Sequence, residues 1–314
     1  MAPQTSSPSK NSTNVRTLSW QLRAMKAGLR ALEATSPALA AKVGVELMFH
    51  TTRHPAPLVE RELLARGERF SVLAGKRRLA AWSFGQGPTV LLVHGWNGRA
   101  GQLGFMVDPL LARGFRVVTF DAPGHGESEG TTASLPEFAD AVDSVLEHVA
   151  TPFLPVQAIV AHSMGGAAVT FAMSRHTRAP SAEHERALRD PLPVRRFAFV
   201  APPIDLRDFV RGFSRLSGLG PETQAELTRR IESRLSLRLE ELHAPTLARE
   251  LDAPLLVVHD EGDREVPVRC GRELAAAWPG ARLTITQGLG HTRILRDPAV
   301  IAELTAFVAG GQTH

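Results

Sequence analysis

The apolar residues between positions 89 and 286 fall into short, nearly continuous runs that alternate with stretches of helical periodicity. The runs predict a series of buried strands, at TVLLVH (89–94), RVVTFD (116–121), VQAIVAH (156–162), RRFAFVA (195–201), PLLVVHD (254–260) and ARLTIT (281–286). Helices are predicted between and after them, near 100–112, 135–149, 164–176, 268–277 and 298–309. Apolar strands separated by helices indicate a parallel sheet that is covered on both faces. The fold class is therefore predicted as α/β, with a mostly parallel central sheet.

The chain before these strands has a different pattern. Residues 1–13 are mainly Ser, Pro, Thr and Asn with almost no apolar side chains, and we predict that they are disordered. Residues 15–32 place apolar side chains at spacings of three and four, which predicts an amphipathic helix, and a second helix is predicted near 37–50. ERFSVLA and RLAAWSF then flank Gly75-Lys76 and predict a β-hairpin over about residues 68–84.

The helix predicted at 15–32 has one apolar face, formed by Val15, Leu18, Leu22, Met25, Leu29 and Leu32. Its basic residues lie largely off that face. A face of this kind is usually buried against the rest of its own domain, and that is our interpretation. Membrane-surface contact and dimerisation through residues 15–32 are the alternatives, and neither is favoured.

The alternation of strands and helices is interrupted once, by residues 204–250. This insertion carries two helical stretches, near 204–216 and 221–242, and is too long for a simple crossover. We predict a small helical cap over the carboxyl ends of the strands, where ligands bind in such sheets. The predicted division is an N-terminal disordered tail and helical extension at 1–67, a core formed by 68–203 and 251–314, and the cap at 204–250.

The overall composition is that of a globular protein with a positive net charge. The formal charge is +4 and the pI about 9.9, but the arginines are interleaved with Glu and Asp, so we expect no nucleic-acid partner. The single cysteine, Cys270, excludes an intrachain disulfide. No apolar run approaches the roughly 20 residues of a membrane span, and the N-terminus lacks the apolar core of a signal peptide. We therefore predict a cytoplasmic protein, and no metal is predicted because the histidines lack metal-ligand spacing.

Ser163 stands directly after one predicted strand and directly before a helix. The segment Ala161-His162-Ser163-Met164-Gly165 has the small-x-Ser-x-small pattern of a nucleophile elbow. In such a turn the strand passes at once into a helix, and large side chains two positions from the serine would collide with neighbouring elements. We therefore predict that Ser163 is a catalytic nucleophile. A serine that only caps the helix is the alternative.

A serine hydroxyl needs a base and an acid to become a useful nucleophile. His291 is the predicted base because it lies in a glycine-rich loop, GLGHT, just after the last predicted strand. Asp263 is predicted as the acid, since it lies three residues past the preceding strand, where a loop can reach His291. Asp260 is the first rival for that role, and Asp205 is the second.

Two backbone N–H groups are predicted to form an oxyanion hole. HGW at 94–96 ends the first long strand, and a tight turn there can aim the N–H of Trp96 towards Ser163. The N–H of Met164 is the second predicted donor. DAPGHGES at 121–128 follows the next strand, and we interpret it as a structural turn rather than as a second nucleophilic centre.

Taken in order, these motifs resemble those of the α/β-hydrolase superfamily over roughly residues 70–310. The resemblance rests on HGW (94–96), DAPGHGES (121–128), AHSMGG (161–166), HDEGDREVP (259–267) and GLGH (288–291). It implies the α/β-hydrolase fold, with Ser163, Asp263 and His291 as a catalytic triad in the chain order of that family. Two positions depart from the family pattern, since Ala161 and Asp260 stand where glycine is commoner.

The sequence thus predicts a serine esterase that cleaves a small-molecule ester without a cofactor. An acyl-enzyme would form on Ser163, and water would release it. Apolar residues of the insertion suggest a substrate with an apolar group; they are Leu206, Phe209, Phe213, Leu216 and Leu219. The alternative is that these residues only pack the cap onto the sheet. A thioesterase, perhydrolase or acyltransferase of the same fold also stays open, as does a non-catalytic protein that binds a ligand or a partner.

Overall fold

The computed structural model describes residues 11–150, 156–177 and 194–310. Within them, eight strands form one sheet: β1 (Glu68–Ala74), β2 (Arg77–Phe84), β3 (Thr89–Val93), β4 (Arg116–Phe120), β5 (Val156–His162), β6 (Phe197–Val200), β7 (Leu255–Asp260) and β8 (Arg282–Thr286). They lie in the order β1-β2-β4-β3-β5-β6-β7-β8. The pairs β1–β2 and β2–β4 are antiparallel, and every pair from β4 to β8 is parallel. The predicted α/β class with a mostly parallel sheet is confirmed.

Helices connect and flank these strands. In the described part of the chain they are α1 (Asn11–Thr35), α2 (Pro37–Phe49), α3 (Leu58–Ala65), α4 (Val107–Leu111), α5 (Leu135–Val149), α6 (Met164–Thr177), α7 (Leu206–Ser217), α8 (Pro221–Leu235), α9 (Ala244–Ala248), α10 (Arg269–Ala277), α11 (Gly290–Arg293) and α12 (Pro298–Val308). Short 3₁₀ helices occupy Ala100–Met106, Leu239–Leu242 and Ile294–Arg296. None of the described helices is long and apolar enough to cross a membrane.

The burial of the strands follows from their sequence pattern. All residues of β3, β6 and β7 are buried, whereas the edge strand β8 is only partly buried. A parallel strand inside an α/β sheet has helices on both faces, so side chains on both of its sides must be apolar. Because these strands run in the same direction, their carboxyl ends lie at one edge of the sheet. All the predicted site residues follow such ends.

Two helices differ from the prediction, one in its helix type and the other in the residue at which it ends. The helix expected near 100–112 is a 3₁₀ helix at Ala100–Met106 followed by α4, because its two glycines disfavour a regular α-helix. The helix expected at 221–242 ends at Leu235, where Ser236 adopts a left-handed conformation with φ 53°. Residues in that conformation are typical helix ends.

The N-terminus differs from the prediction as well. α1 begins at Asn11, so residues 11–13, which we predicted to be disordered, are helical. The rest of the predicted tail, residues 1–10, lies outside the described residues.

Contacts within the chain define two compact units. One contains the sheet and comprises Phe49–Leu206 and the residues from Leu239 onward; the other is helical and comprises the residues up to Met48 together with Arg207–Arg238. Helices of the predicted extension and of the predicted insertion thus share one unit, while residues 239–250 belong to the sheet unit. A cap over the strand ends stays a prediction.

The helical unit is held together by contacts between its two chain segments. Glu33 of α1 accepts a hydrogen bond from the N–H of Gly220 (2.7 Å), and Arg234 of α8 pairs with Glu46 of α2 (2.9 Å). Leu29 of α1 is buried, but Leu22, about two helical turns closer to the N-terminus, is 40% exposed. The apolar face predicted for α1 is therefore covered towards its carboxyl end.

Candidate active site

Ser163 occupies a strained turn between β5 and α6. Its φ of 52° lies in the left-handed region, which residues other than glycine rarely adopt. The turn is fixed on both sides, because the N–H of Ser163 donates to the carbonyl of Val200 (2.9 Å) and its carbonyl accepts from the N–H of Gly166 (2.9 Å). Such strain persists only where the surrounding structure holds it, and it is typical of the nucleophile elbow.

The turn after β3 lies directly against Ser163. A Cβ added to Gly95 would come within 2.9 Å of the Cβ of Ser163, so only glycine fits there. A Cβ added to Gly165 would come within 2.5 Å of the carbonyl oxygen of His94, so the start of α6 also touches this turn. Trp96 directly follows Gly95, and Met164 lies between Ser163 and Gly165. Both predicted oxyanion donors, the N–H groups of these residues, are therefore next to the contacts. Within the described residues, neither N–H donates to a backbone carbonyl.

His291 lies in α11, just after β8. Its Nδ1 is 2.7 Å from Oδ2 of Asp263, in the loop after β7, and both side chains are buried. This contact fixes the proton on Nδ1 and makes Nε2 the basic nitrogen of the ring. The structure thus brings the predicted base and acid together.

Asp263 is held in its ionised form. Burial raises its pKa, but hydrogen bonds from His259, from His291 and from the N–H of Val266 outweigh burial, so the pKa lies below the usual range for an aspartate. Its Oδ1 accepts from the N–H groups of Glu265 (2.8 Å) and Val266 (2.9 Å). A carboxylate that stays ionised can stabilise a positive charge on His291.

Asp260, the first rival for the acid, holds a loop instead. Its Oδ2 accepts from the hydroxyl of Thr286 (2.8 Å) and from the N–H of Leu289 (2.9 Å). Burial raises the pKa of Asp260, but these and other hydrogen bonds lower it below its usual range. The carboxylate therefore anchors the segment between β8 and α11 that carries His291.

His162 connects the serine turn with the base, and sequence reasoning missed it. It precedes Ser163, and its Nε2 lies 3.0 Å from the carbonyl oxygen of His291, so Nε2 carries the proton. The two imidazole rings are 4.7 Å apart between centroids. Burial, and then the neighbouring His291, lowers the pKa of His162 to about 3, which keeps it neutral. The signal in the sequence was its place beside the predicted nucleophile.

Two more buried histidines support the turn after β3. The Nε2 of His94 accepts from the N–H of Ala122 (3.0 Å), and the Nε2 of His125 accepts from the N–H of Asn97 (3.0 Å). Burial lowers the pKa of His94 to about 4 and that of His125 to about 3. Both rings are neutral acceptors, so they act in the architecture of the turn.

We expect these three buried histidines to make the stability of the folded chain pH-dependent. Between about pH 4 and 6.5, His94, His125 and His162 stay neutral when folded but take up protons when unfolded, since their ordinary pKa is 6.5. The free energy of unfolding should therefore fall on acidification, by up to about 1.4 kcal/mol per pH unit for each histidine. Urea titrations at about pH 7, 6 and 5 measure it. Replacing the exposed His54 (His54→Gln) is the control that keeps this pH dependence. A free energy of unfolding that is the same at all three pH values would contradict the neutral rings.

A cavity of about 550 Å³ borders His291 and is lined by the loops that follow β7 and β8. Charged side chains are among its lining residues and include Arg264, Glu265 and Arg293. Across residues 11–150, 156–177 and 194–310, no three His, Cys, Asp or Glu side chains are grouped so that they could hold a metal ion.

The site lies within the segment that matches a known family. Residues 90–304 match the model of the alpha/beta hydrolase family. A pimeloyl-[acyl-carrier protein] methyl ester esterase from Methylococcus capsulatus is 33% identical over 231 residues, which cover 62% of this chain and 84% of the relative. The protein of the same name from Chromobacterium violaceum is 29% identical over 226 residues, covering 64% of this chain and 86% of the relative.

A solved structure gives the same fold. An esterase from Pyrococcus furiosus superposes with a TM-score of 0.59 at 16% identity, covering 84% of this chain and all of the esterase. The family model spans more than half of the chain, so the chain belongs to the α/β-hydrolase family. Within that family it is similar to the two methyl ester esterases. The fold implied by the sequence resemblance is confirmed.

Proposed function

We propose that this α/β-hydrolase cleaves carboxylic esters through an acyl-enzyme on Ser163. The Oγ of Ser163 attacks the ester carbonyl while Nε2 of His291 takes its proton, and Asp263 stabilises the resulting imidazolium. The N–H groups of Trp96 and Met164 donate to the carbonyl oxygen as it becomes negative. The C–O bond to the alcohol then breaks, the alcohol receives the proton from His291, and water repeats the sequence to release the acid.

The observation that carries this proposal is the link from the strained serine turn to the base. His162, the neighbour of Ser163, is bonded to the backbone of His291, whose ring is bonded to Asp263. The curated relatives are esterases, and this chain is likewise a carboxylic ester hydrolase. The proposal adds the residues that perform the reaction.

The substrate is a small-molecule ester. The curated relatives are named for the methyl ester of a pimeloyl group on an acyl-carrier protein. For this chain we propose an ester with an apolar acyl or alcohol group. The cavity beside His291 exposes more apolar than polar surface, which supports a substrate of this kind.

A panel of aryl esters of increasing acyl length tests the proposal. We expect turnover, with kcat/KM that changes with chain length, and covalent labelling by a fluorophosphonate at a single peptide that contains Ser163. Labelling of another peptide would contradict the assigned nucleophile. A chain that binds these esters without turnover would instead be the non-catalytic alternative.

The pH dependence of the reaction follows from the neighbours of His291. The pKa of Asp263 lies below its usual range and that of His162 is about 3, so neither group changes charge above about pH 5. The proposed mechanism needs a neutral His291 as the base, so log kcat/KM should fall on the acid side of the profile with a limiting slope of about one. Initial rates at constant ionic strength measure it. A slope of two, or a flat profile, would contradict His291 as the base.

A further inference from the structure

Hydrogen bonds hold most residues of the loop after β3 in place, on both sides of Trp96, which carries the predicted oxyanion donor. The N–H of Gly98 closes the turn onto the carbonyl of Gly95 (3.0 Å), and the N–H of Ala100 donates to the buried carboxylate of Asp121 (2.7 Å). Within the turn from Gly95 to Gly98, Asn97 is held in a left-handed conformation with φ 55°. Groups held in place before the reaction stabilise a developing charge without reorganising, so this fixation favours the Trp96 N–H as a donor.

α3 fixes the far end of this loop through a buried ion pair. Both carboxylate oxygens of Glu60 face the guanidinium of Arg99, at 2.5 Å from Nε and 3.0 Å from Nη2. The Glu60 side chain is only 3% exposed and that of Arg99 18%. A two-point pair of this kind sets the direction of the arginine as well as its position. Removing one partner leaves a buried charge without compensation.

The chain before α3 fixes the middle of the loop. The N–H of Thr52 donates to Oδ1 of Asn97 (2.8 Å). The neighbours of Thr52 are themselves fixed to the turn after β4, because the hydroxyl of Thr51 donates to the carbonyl of Gly124 (2.7 Å) and Arg53 donates to the carbonyl of Ser128 (2.6 Å). The hydrogen bonds of its two neighbours therefore hold Thr52 in place.

We propose that Thr52 and Glu60 are positioning residues for the oxyanion hole, acting through Asn97 and Arg99 on the N–H of Trp96. The inference rests on the proposed function, since it concerns the donor to the same reacting oxygen. Both residues precede position 90, where the family match begins, so they belong to a segment that the family model does not describe. They do not contact the substrate; they hold the loop whose N–H does.

Glu60→Gln tests the ion pair. The variant keeps the shape of the side chain but removes the charge that orients Arg99, so the loop should shift. We expect kcat to fall by roughly 10- to 100-fold, with KM changed less than about twofold, because a displacement near 1 Å costs a factor of this size. A boronate that binds reversibly as a tetrahedral adduct should lose affinity by a similar factor. Asp108→Asn is the matched control, because it removes the exposed pair between Arg66 of α3 and Asp108 and should leave all three quantities unchanged.

A second pair of variants keeps the test valid if Glu60→Gln does not fold. Asn97→Gly retains the left-handed backbone but removes the acceptor for Thr52, and kcat should fall about tenfold. Asn97→Asp keeps an acceptor oxygen and tolerates the same backbone, so it should restore most of the activity. A merely structural contribution would lower the melting temperature of both variants without separating their kcat values.

The outcomes separate this inference from the proposed function. If Ser163→Ala is inactive but Glu60→Gln and Asn97→Gly keep kcat and boronate affinity within about twofold of wild type, the positioning role is wrong and the mechanism stands. If Ser163→Ala remains active, the mechanism itself is wrong. Parallel losses of kcat and boronate affinity, with rescue by Asn97→Asp, support the positioning role.

Discussion

Ser163→Ala is expected to lower kcat for ester hydrolysis by on the order of 10⁶-fold. Alanine has nearly the same volume and can occupy the same turn, but it lacks the oxygen that forms the acyl-enzyme. Any residual rate would come from the oxyanion donors acting on bound substrate and water. Steady-state rates on an aryl ester, with the melting temperature measured alongside, check this result.

Ser144→Ala is the control for that variant. The hydroxyl of Ser144 donates to the carbonyl of Asp140 within α5, so its removal should leave kcat unchanged. Loss of fluorophosphonate labelling should accompany the loss of turnover in Ser163→Ala. If the variant kept more than about 1% of the wild-type kcat, another group would have to be the nucleophile.

Asp263→Asn is expected to lower kcat by about 10⁴-fold. Asparagine has the same shape, but its NH₂ group can face Nδ1 of His291 as a donor and so select the wrong tautomer. The negative charge that would stabilise an imidazolium is also lost. Because the carboxylate is ionised throughout the working pH range, the loss should be present at every pH where the protein is folded. Pre-steady-state acylation rates measure the effect on the first chemical step.

Asp260→Asn separates the two neighbouring carboxylates. Asp260 holds the loop before α11 through Thr286 and Leu289, so its variant should lower the melting temperature more than it lowers kcat. The opposite pattern, a loss near 10⁴-fold in Asp260→Asn and a small loss in Asp263→Asn, would assign the acid to Asp260.

The strands β3 to β7 could be predicted from the sequence because each contains a short apolar run bounded by turn residues. The positions of Ser163, Asp263 and His291 after strand ends were also readable, since parallel strands end at a common edge. The sequence could not decide between Asp263 and Asp260 as the acid. The two lie three residues apart, and only the loop conformation decides which carboxylate faces the imidazole.

Contacts between distant segments could not be predicted from the sequence. The bond from His162 to the backbone of His291 joins residues 129 positions apart, and the pair of Glu60 with Arg99 joins residues 39 apart. Nothing in a local pattern specifies such partners. For the same reason the pattern of α1 predicted that its apolar face is buried, but not that the helix shares a compact unit with Arg207–Arg238.

The helical unit has a discontinuous sequence, and this affects how it forms during synthesis. Its first segment ends at Met48, and about 160 residues must be translated before the second segment begins at Arg207. At bacterial or eukaryotic elongation rates that is an interval of roughly 10–30 s, far longer than a helix needs to form. During that time α1 and α2 leave the ribosome with no second segment to pack against. Nascent chains stalled before position 207 should therefore be captured by chaperones through their first 48 residues, and chains stalled well beyond position 238 should not.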